Sequence, residues 1–214
     1  MKQVVKLNCP VCQTPTTQEV ETRINTDLQP KLKDELLSGH LQQFECQECG
    51  ARRQIETNFL YHDPQKKYMI YLIPNLKNKR DQVSQLLENV AHDEKVDLSN
   101  YELRIVTHHP DLIEKVQLFD LNYNDKEVEI VKLLTDGLFA KEKSEEIVKA
   151  RYFYLKDNQP KIMYITEKEQ LLVDFSDSLL KFASDKYSKT VSSEGKGQFH
   201  LINAEWAAHA LSEN

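Results

Sequence analysis

The sequence predicts a mixed α+β chain: an antiparallel β unit with a helical insertion, then helices, then a small C-terminal α+β region. Three observations predict it. Two Cys-x-x-Cys pairs, Cys9-Pro10-Val11-Cys12 and Cys46-Gln47-Glu48-Cys49, use all four cysteines of the 214-residue chain. Short runs of β-branched and aromatic residues flank both pairs, as strands do. Further on, apolar residues recur at helical spacing before strand-like alternation returns at residue 147. The patterning divides the chain into a β segment, 1–76, a mainly helical segment packed on it, 77–140, and an α+β segment, 141–214.

The cysteines carry the most specific chemistry. Two thiolates at this spacing can point inward from one tight turn, and two such turns can close a tetrahedron around Zn²⁺ at about 2.3 Å per bond. Pro10 pre-sets φ after the first cysteine. Gly50, just after the last, permits a left-handed backbone that aims N–H groups at sulfur. Cys9, Cys12, Cys46 and Cys49 are therefore the expected metal ligands of a zinc-ribbon-like unit. A rubredoxin-like iron site uses the same four-thiolate shell and remains the alternative. Disulfides need an oxidising compartment, and the start, Met1-Lys2-Gln3-Val4-Val5-Lys6, lacks the apolar run of an export signal. A cytoplasmic location is the expectation. Four thiolates leave no open coordination position, so the expected site is structural rather than hydrolytic. Arg52 and Arg53 follow directly and are read as solvated strand residues rather than a counter-charge.

Taken in order, Val4–Asn8 leads into the first turn, and Thr16–Ile24 is the returning strand. Asp27 is the expected cap of a short helix over Lys31–Leu37, with Pro30 suited to its first turn and Ser38-Gly39 to its end. Leu41–Glu45 leads into the second turn. Arg52–His62 and Lys67–Ile73 read as strands joined by Asp63-Pro64-Gln65-Lys66. Phe59, Tyr61, Tyr68, Ile70 and Tyr71 give that hairpin apolar faces, which packing against the helix at 31–37 explains better than a base-stacking platform does. Val83, Leu86, Leu87 and Val90 predict an amphipathic helix, and Tyr101–Thr107 a strand with Leu103 and Ile105 on one face. Asp111 opens the next helix (Leu112, Ile113, Val116, Phe119). Another runs from 125 to 139 on Val128, Val131, Leu134 and Leu138. Ile147–Leu155 and Lys161–Thr166 pair as strands, with Leu171–Phe175 a third and Ser178–Tyr187 a helix. Ser188–Gly197, small and polar, reads as a mobile loop. Phe199–Ile202 is a strand, and Asn203 caps a last helix bearing Trp206 and Leu211.

The CPVC near the N-terminus, the CQECG that follows, the run Leu103-Arg104-Ile105-Val106, and the helical stretches Leu112-Ile113-Glu114-Lys115 and Leu118-Phe119-Asp120 together resemble the CpXC protein family. The likeness covers roughly residues 1–135. Its members are bacterial and archaeal proteins of unestablished function, so the resemblance implies the four cysteine ligands and no catalytic residue. The second pair, Cys46-Gln47-Glu48-Cys49, departs from the family name in lacking a proline, which bears on the rigidity of that turn.

Composition narrows the function classes. Net charge is −6; residues 1–73 hold nine basic and nine acidic residues, so the later part supplies the excess. Nucleic-acid binders draw most of their affinity from a basic face. Here Arg52, Arg53, Lys66 and Lys67 are the candidates, in runs no longer than a pair. No stretch approaches the run of about 20 apolar residues that spans a membrane. No GxSxG, P-loop, GxGxxG or HExxH pattern occurs, so the motif-bearing enzyme classes find no support. Adjacent His108-His109 would face opposite sides of a strand, and His40 and His62 are surplus to a four-cysteine set. The expected role is a protein-interaction or adaptor module whose partner is another protein, with nucleic-acid binding through the zinc ribbon as the alternative and an enzyme with an unrecognised site between ribbon and helices as a third reading.

Overall fold

A computed structural model of the chain describes residues 2–76, 97–193 and 195–212. The chain forms two compact units, Met1–Ile113 with Lys196–Phe199, and Glu114–Gly195 with His200–Asn214. Among the described residues there are six α-helices and several sheets, a mixed α+β architecture. No helix there is long and apolar enough to cross a membrane.

The first unit begins with the antiparallel pair β1 (Lys2–Asn8) and β2 (Pro15–Glu21), in register Lys2↔Glu21 to Asn8↔Pro15. The strand expected over 16–24 breaks at Thr22 into β2 and β3 (Arg23–Asn25), because β3 leaves the hairpin to pair in parallel with β6 (Phe59–Asp63). Helix α1 (Pro30–Leu37) carries Pro30 in its first turn and ends at Ser38-Gly39. Asp27 is not its cap. The capping position falls on Gln29 without a side-chain bond, and Asp27 instead accepts from the Gln65 side chain at 2.8 Å. Next come β4 (Gln43–Glu45) and β5 (Arg52–Gln54), a short antiparallel pair. The strand expected over 52–62 is therefore two strands, interrupted at 55–58.

β6 and β7 (Tyr68–Leu72) form an antiparallel hairpin of ten buried residues. β8 (Glu102–Val106) adds in parallel to β7, and a short strand at Phe199–His200 lies on the other side of β8. Leu103 and Ile105 enter one core cluster with Leu60, Met69 and Tyr71, as the alternation predicts. α1 packs against β3, beside the hairpin. The amphipathic helix expected at 83–90 lies outside the described residues.

The second unit is built on α2 (His109–Asp120), whose last seven residues belong to it, and α3 (Asp125–Glu142). α2 starts two residues before the expected Asp111. Against α3 lies the antiparallel sheet of β9 (Val148–Lys156), β10 (Gln159–Thr166) and β11 (Gln170–Asp174), with β10 central. Ile162, Tyr164 and Phe153 point from it into a core with Val128, Ile130, Val131 and Phe139. Phe139 stacks on Tyr164, ring centroids 4.1 Å apart. Leu138, expected in the buried stripe, is 53% exposed, and Phe139 takes the core position.

The stretch Ser188–Gly197 departs from the expected loop. Its first part is a short helix, α5 (Ser188–Ser193), following α4 (Asp177–Lys186) and burying Val191. In its last part the Gly197 N–H donates to Tyr101 C=O at 2.9 Å. Gly197 has φ +82°, and a Cβ there would lie 3.1 Å from the Ser99 Cα, so both the backbone angle and the close approach favour glycine. The chain closes with the strand β12 (Phe199–His200) and α6 (Ala204–Ser212), capped as predicted by Asn203 Oδ1, which accepts from Trp206 N–H at 3.0 Å.

Candidate metal centre

Each Cys-x-x-Cys pair forms the end of a two-stranded ribbon, the first between β1 and β2, the second between β4 and β5. The turns share one backbone pattern. Cys9 N–H donates to Thr14 C=O at 3.0 Å, and Cys46 N–H to Ala51 C=O at 2.9 Å. Gln13 N–H returns to Cys9 C=O at 3.0 Å, as Gly50 N–H does to Cys46 C=O at 2.9 Å. Backbone N–H groups aim at sulfur: those of Cys12 and Val11 at Cys9, Thr14 at Cys12, Ala51 at Cys49. Such donors favour the thiolate over the thiol.

The two turns face each other. Cys9 Sγ lies 3.5 Å from Cys49 Sγ, and Cys12 Sγ lies 3.5 Å from Cys46 Sγ. All four sulfurs lie within 4.8 Å of one another, so the set can hold a metal ion. A regular tetrahedron with Zn–S arms of about 2.3 Å has edges of about 3.8 Å, near the two 3.5 Å separations and inside the 4.8 Å bound on all of them. They are far longer than a disulfide bond of about 2.05 Å, and all four cysteines are free thiols. The donor set thus fits a tetrahedral thiophilic cation.

Burial is asymmetric. Cys9 and Cys46 sit in a small apolar cluster with Val20, Phe44 and Ile55, while Cys12 and Cys49 are exposed. Ionisation is asymmetric too. The Thr14 side chain and N–H beside Cys12 draw its thiol down to about 6. The Ala51 N–H pulls the same way on Cys49, but partial loss of solvent around the sulfur and the neighbouring thiols of Cys9, Cys12 and Cys46 outweigh it and push that thiol up to about 12. Four sulfurs this close cannot all carry charge against one another, and a divalent cation removes that repulsion.

The other sequence candidates lie elsewhere. Arg52 pairs with Glu45 at 3.1 Å on the exposed surface, and Arg53 is also exposed, in keeping with solvated strand residues. His40 bonds Ser38 Oγ at 3.0 Å beyond the end of α1, and buried His62 faces the Tyr101 hydroxyl at 3.4 Å. Exposed His108 meets Thr107 and Asp111, whereas His109 is buried, so the two imidazoles form no joint site. Phe59, Tyr61, Tyr68, Ile70 and Tyr71 are all buried, with Tyr61 stacked on Tyr68 at 5.6 Å, which leaves no aromatic platform for bases.

Sequence reasoning missed a second polar assembly, in the second unit. Lys132 Nζ meets Glu114 at 2.8 Å and Glu129 at 2.9 Å; Lys115 Nζ meets Asp125 at 3.1 Å and Glu129 at 3.3 Å. All five side chains are buried. Burial alone lowers the Lys115 and Lys132 ammonium groups, but the surrounding carboxylates outweigh it and hold both above their ordinary values. Burial raises Glu114 above the carboxylate range, while Lys132 and Lys115 overcome burial at Glu129 and hold it below. The spacing Asp125, Glu129, Lys132 on one helix was the available signal. It reads equally well as a solvated charge ladder, so burial was not legible.

The fold and site define a mixed α+β protein with a four-thiol centre clamped between two ribbon turns. The chain belongs to the CpXC protein family, whose model matches residues 7–132 and so spans all four cysteines, β8 and α2. The function of that family is unknown. No curated protein and no solved structure matches the chain.

Proposed function

We propose that Cys9, Cys12, Cys46 and Cys49 hold one structural Zn²⁺, making the N-terminal ribbons a zinc ribbon with a helical insertion, and that the protein is a cytoplasmic adaptor for another protein. One observation carries the metal reading: four sulfurs from two separate turns converge within 4.8 Å of one another. Bound there, the ion supplies a rigid cross-link and no reactive position, since four thiolates complete its coordination. The chain's own contribution is to present the sulfurs from matched turns and to bury two of them. Iron in the same shell is the competing occupant.

The adaptor reading rests on a closed site, an acidic net charge and a sequence without the common catalytic motifs. Binding of nucleic acid through Arg52, Arg53, Lys66 and Lys67 is the alternative; the Arg52–Glu45 pair and the burial of the aromatic residues weigh against it. Elemental analysis of purified protein should give one zinc per chain, with four sulfur neighbours by X-ray absorption. A nuclease-treated pull-down should recover a protein partner lost with Cys46→Ser. Absence of metal, or recovery of nucleic acid alone, overturns the respective half of the reading.

A further inference from the structure

The four sulfurs of the metal centre differ in what reaches them. Cys9 and Cys46 are 0% and 2% exposed and packed among Val20, Phe44 and Ile55, whereas Cys12 and Cys49 are exposed. Each exposed cysteine also has a buried one beside it on the opposite turn. Cys12 Sγ lies 3.5 Å from Cys46 Sγ, and Cys49 Sγ lies 3.5 Å from Cys9 Sγ.

This is the arrangement that oxidation by a peroxide needs. A metal-held thiol is deprotonated, and the thiolate is the nucleophile that attacks the peroxide. Reaction falls on the sulfur that solvent reaches, and it runs on to a disulfide where a second thiolate stands beside the first. The chain has four cysteines in all, so a disulfide within it joins two members of this set.

We propose that Cys12 and Cys49 are sites of oxidation by peroxides, and that each resolves onto its buried neighbour across the turns, as Cys12–Cys46 and Cys49–Cys9. The inference rests on the four-sulfur zinc centre proposed above. In the first step the Cys12 thiolate attacks one peroxide oxygen; the S–O bond forms, the O–O bond breaks, and hydroxide leaves. In the second the Cys46 thiolate attacks the sulfenic sulfur; the S–S bond forms, the S–O bond breaks, and a second hydroxide leaves. Each disulfide thus passes two electrons to one peroxide. Cys49 and Cys9 repeat the sequence with another peroxide, and the set, left without thiolates, releases its Zn²⁺. Closure brings each sulfur pair from 3.5 Å to about 2.05 Å. The two ribbons exchange a metal cross-link for a covalent one between the same turns.

The test treats the full-length, zinc-loaded chain with hydrogen peroxide, reading zinc release with a chromogenic chelator and disulfides by tandem mass spectrometry. Zinc content before the oxidant is added checks the metal centre by itself; a chain without zinc sinks that reading, and the disulfide map still decides this one. Trypsin cuts after Arg23, Lys31 and Lys33, between the two pairs, so a link between turns holds two fragments together and a link within a pair does not. About two peroxides per chain should release all the zinc and lower the metal-free mass by about 4 Da, with the fragments joined as Cys12–Cys46 and Cys9–Cys49. At limiting peroxide a dimedone trap for sulfenic acid should label Cys12 and Cys49 at least about fivefold over Cys9 and Cys46. Any other pairing, trapping mainly at Cys9 and Cys46, or zinc retained under excess peroxide each overturns the proposal.

Discussion

Gln13 and Gly50 occupy the same station in the two cysteine turns. Each stands four residues after the first cysteine of its pair, with φ of +63° and +69°. Each donates its N–H to that cysteine's carbonyl. Both turns therefore need a left-handed residue there, and only the second has glycine. The missing proline of the second turn leaves this geometry intact.

Glycine should be worth more at one of these stations than the sequence now uses. Gln13→Gly should stabilise the first unit by about 0.5 kcal/mol, the relief of left-handed strain less glycine's added unfolded-state entropy. Gly50→Ala should cost about 1 kcal/mol from φ alone, since its Cβ would meet nothing within 4 Å. Gly197→Ala should cost more, because its Cβ also crowds the Ser99 backbone. Chemical denaturation of the metal-replete variants ranks the three.

Metal removal should unfold the ribbons selectively. Structural zinc is worth an apparent ~10–16 kcal/mol in small peptides, more than a cluster of five buried side chains can replace. Cys46→Ser should lose stoichiometric metal and the amide protection of β1, β2, β4 and β5. Hydrogen exchange with elemental analysis checks this, and full metal content with unchanged protection would refute the four-sulfur assignment.

His109 should make stability fall in mild acid. Its folded value is about 4, below the roughly 6.5 of an unfolded imidazole. Between those limits the unfolded chain binds the proton and the folded chain does not. Stability is thus fully present above pH 6.5 and declines as pH drops towards 4, by at most about 3 kcal/mol. His109→Leu should flatten that part of the profile, measured by urea unfolding across the range.

The buried Lys132 should tolerate no neutral replacement. Lys132→Met strands buried Glu114 without its cation, leaves Glu129 with Lys115 alone, and should cost about 3–5 kcal/mol. By contrast Arg52→Ala, which breaks an exposed pair with Glu45, should cost under about 0.5 kcal/mol. Urea midpoints of the two variants, each against the parent, make the comparison.

Much of this molecule is local and was therefore legible. The spacing of Cys9, Cys12, Cys46 and Cys49 dictates two matched turns, Pro30 and Asn203 mark helix starts, and alternation in 101–107 and 147–166 marks strands, since each rests on neighbours a few residues apart. What tertiary structure alone decided is which segments meet. Patterning breaks near 76 and 140, whereas the compact units divide at 113/114, inside α2. β3 deserts its hairpin for β6, and β8 crosses to β7, because strand pairing is a contract between distant backbones that periodicity does not record. The same holds for Glu114, Lys115, Asp125, Glu129 and Lys132. Their charges look like solvated helix surface, and only the sheet and helices closing over them put them out of water and force them to pair.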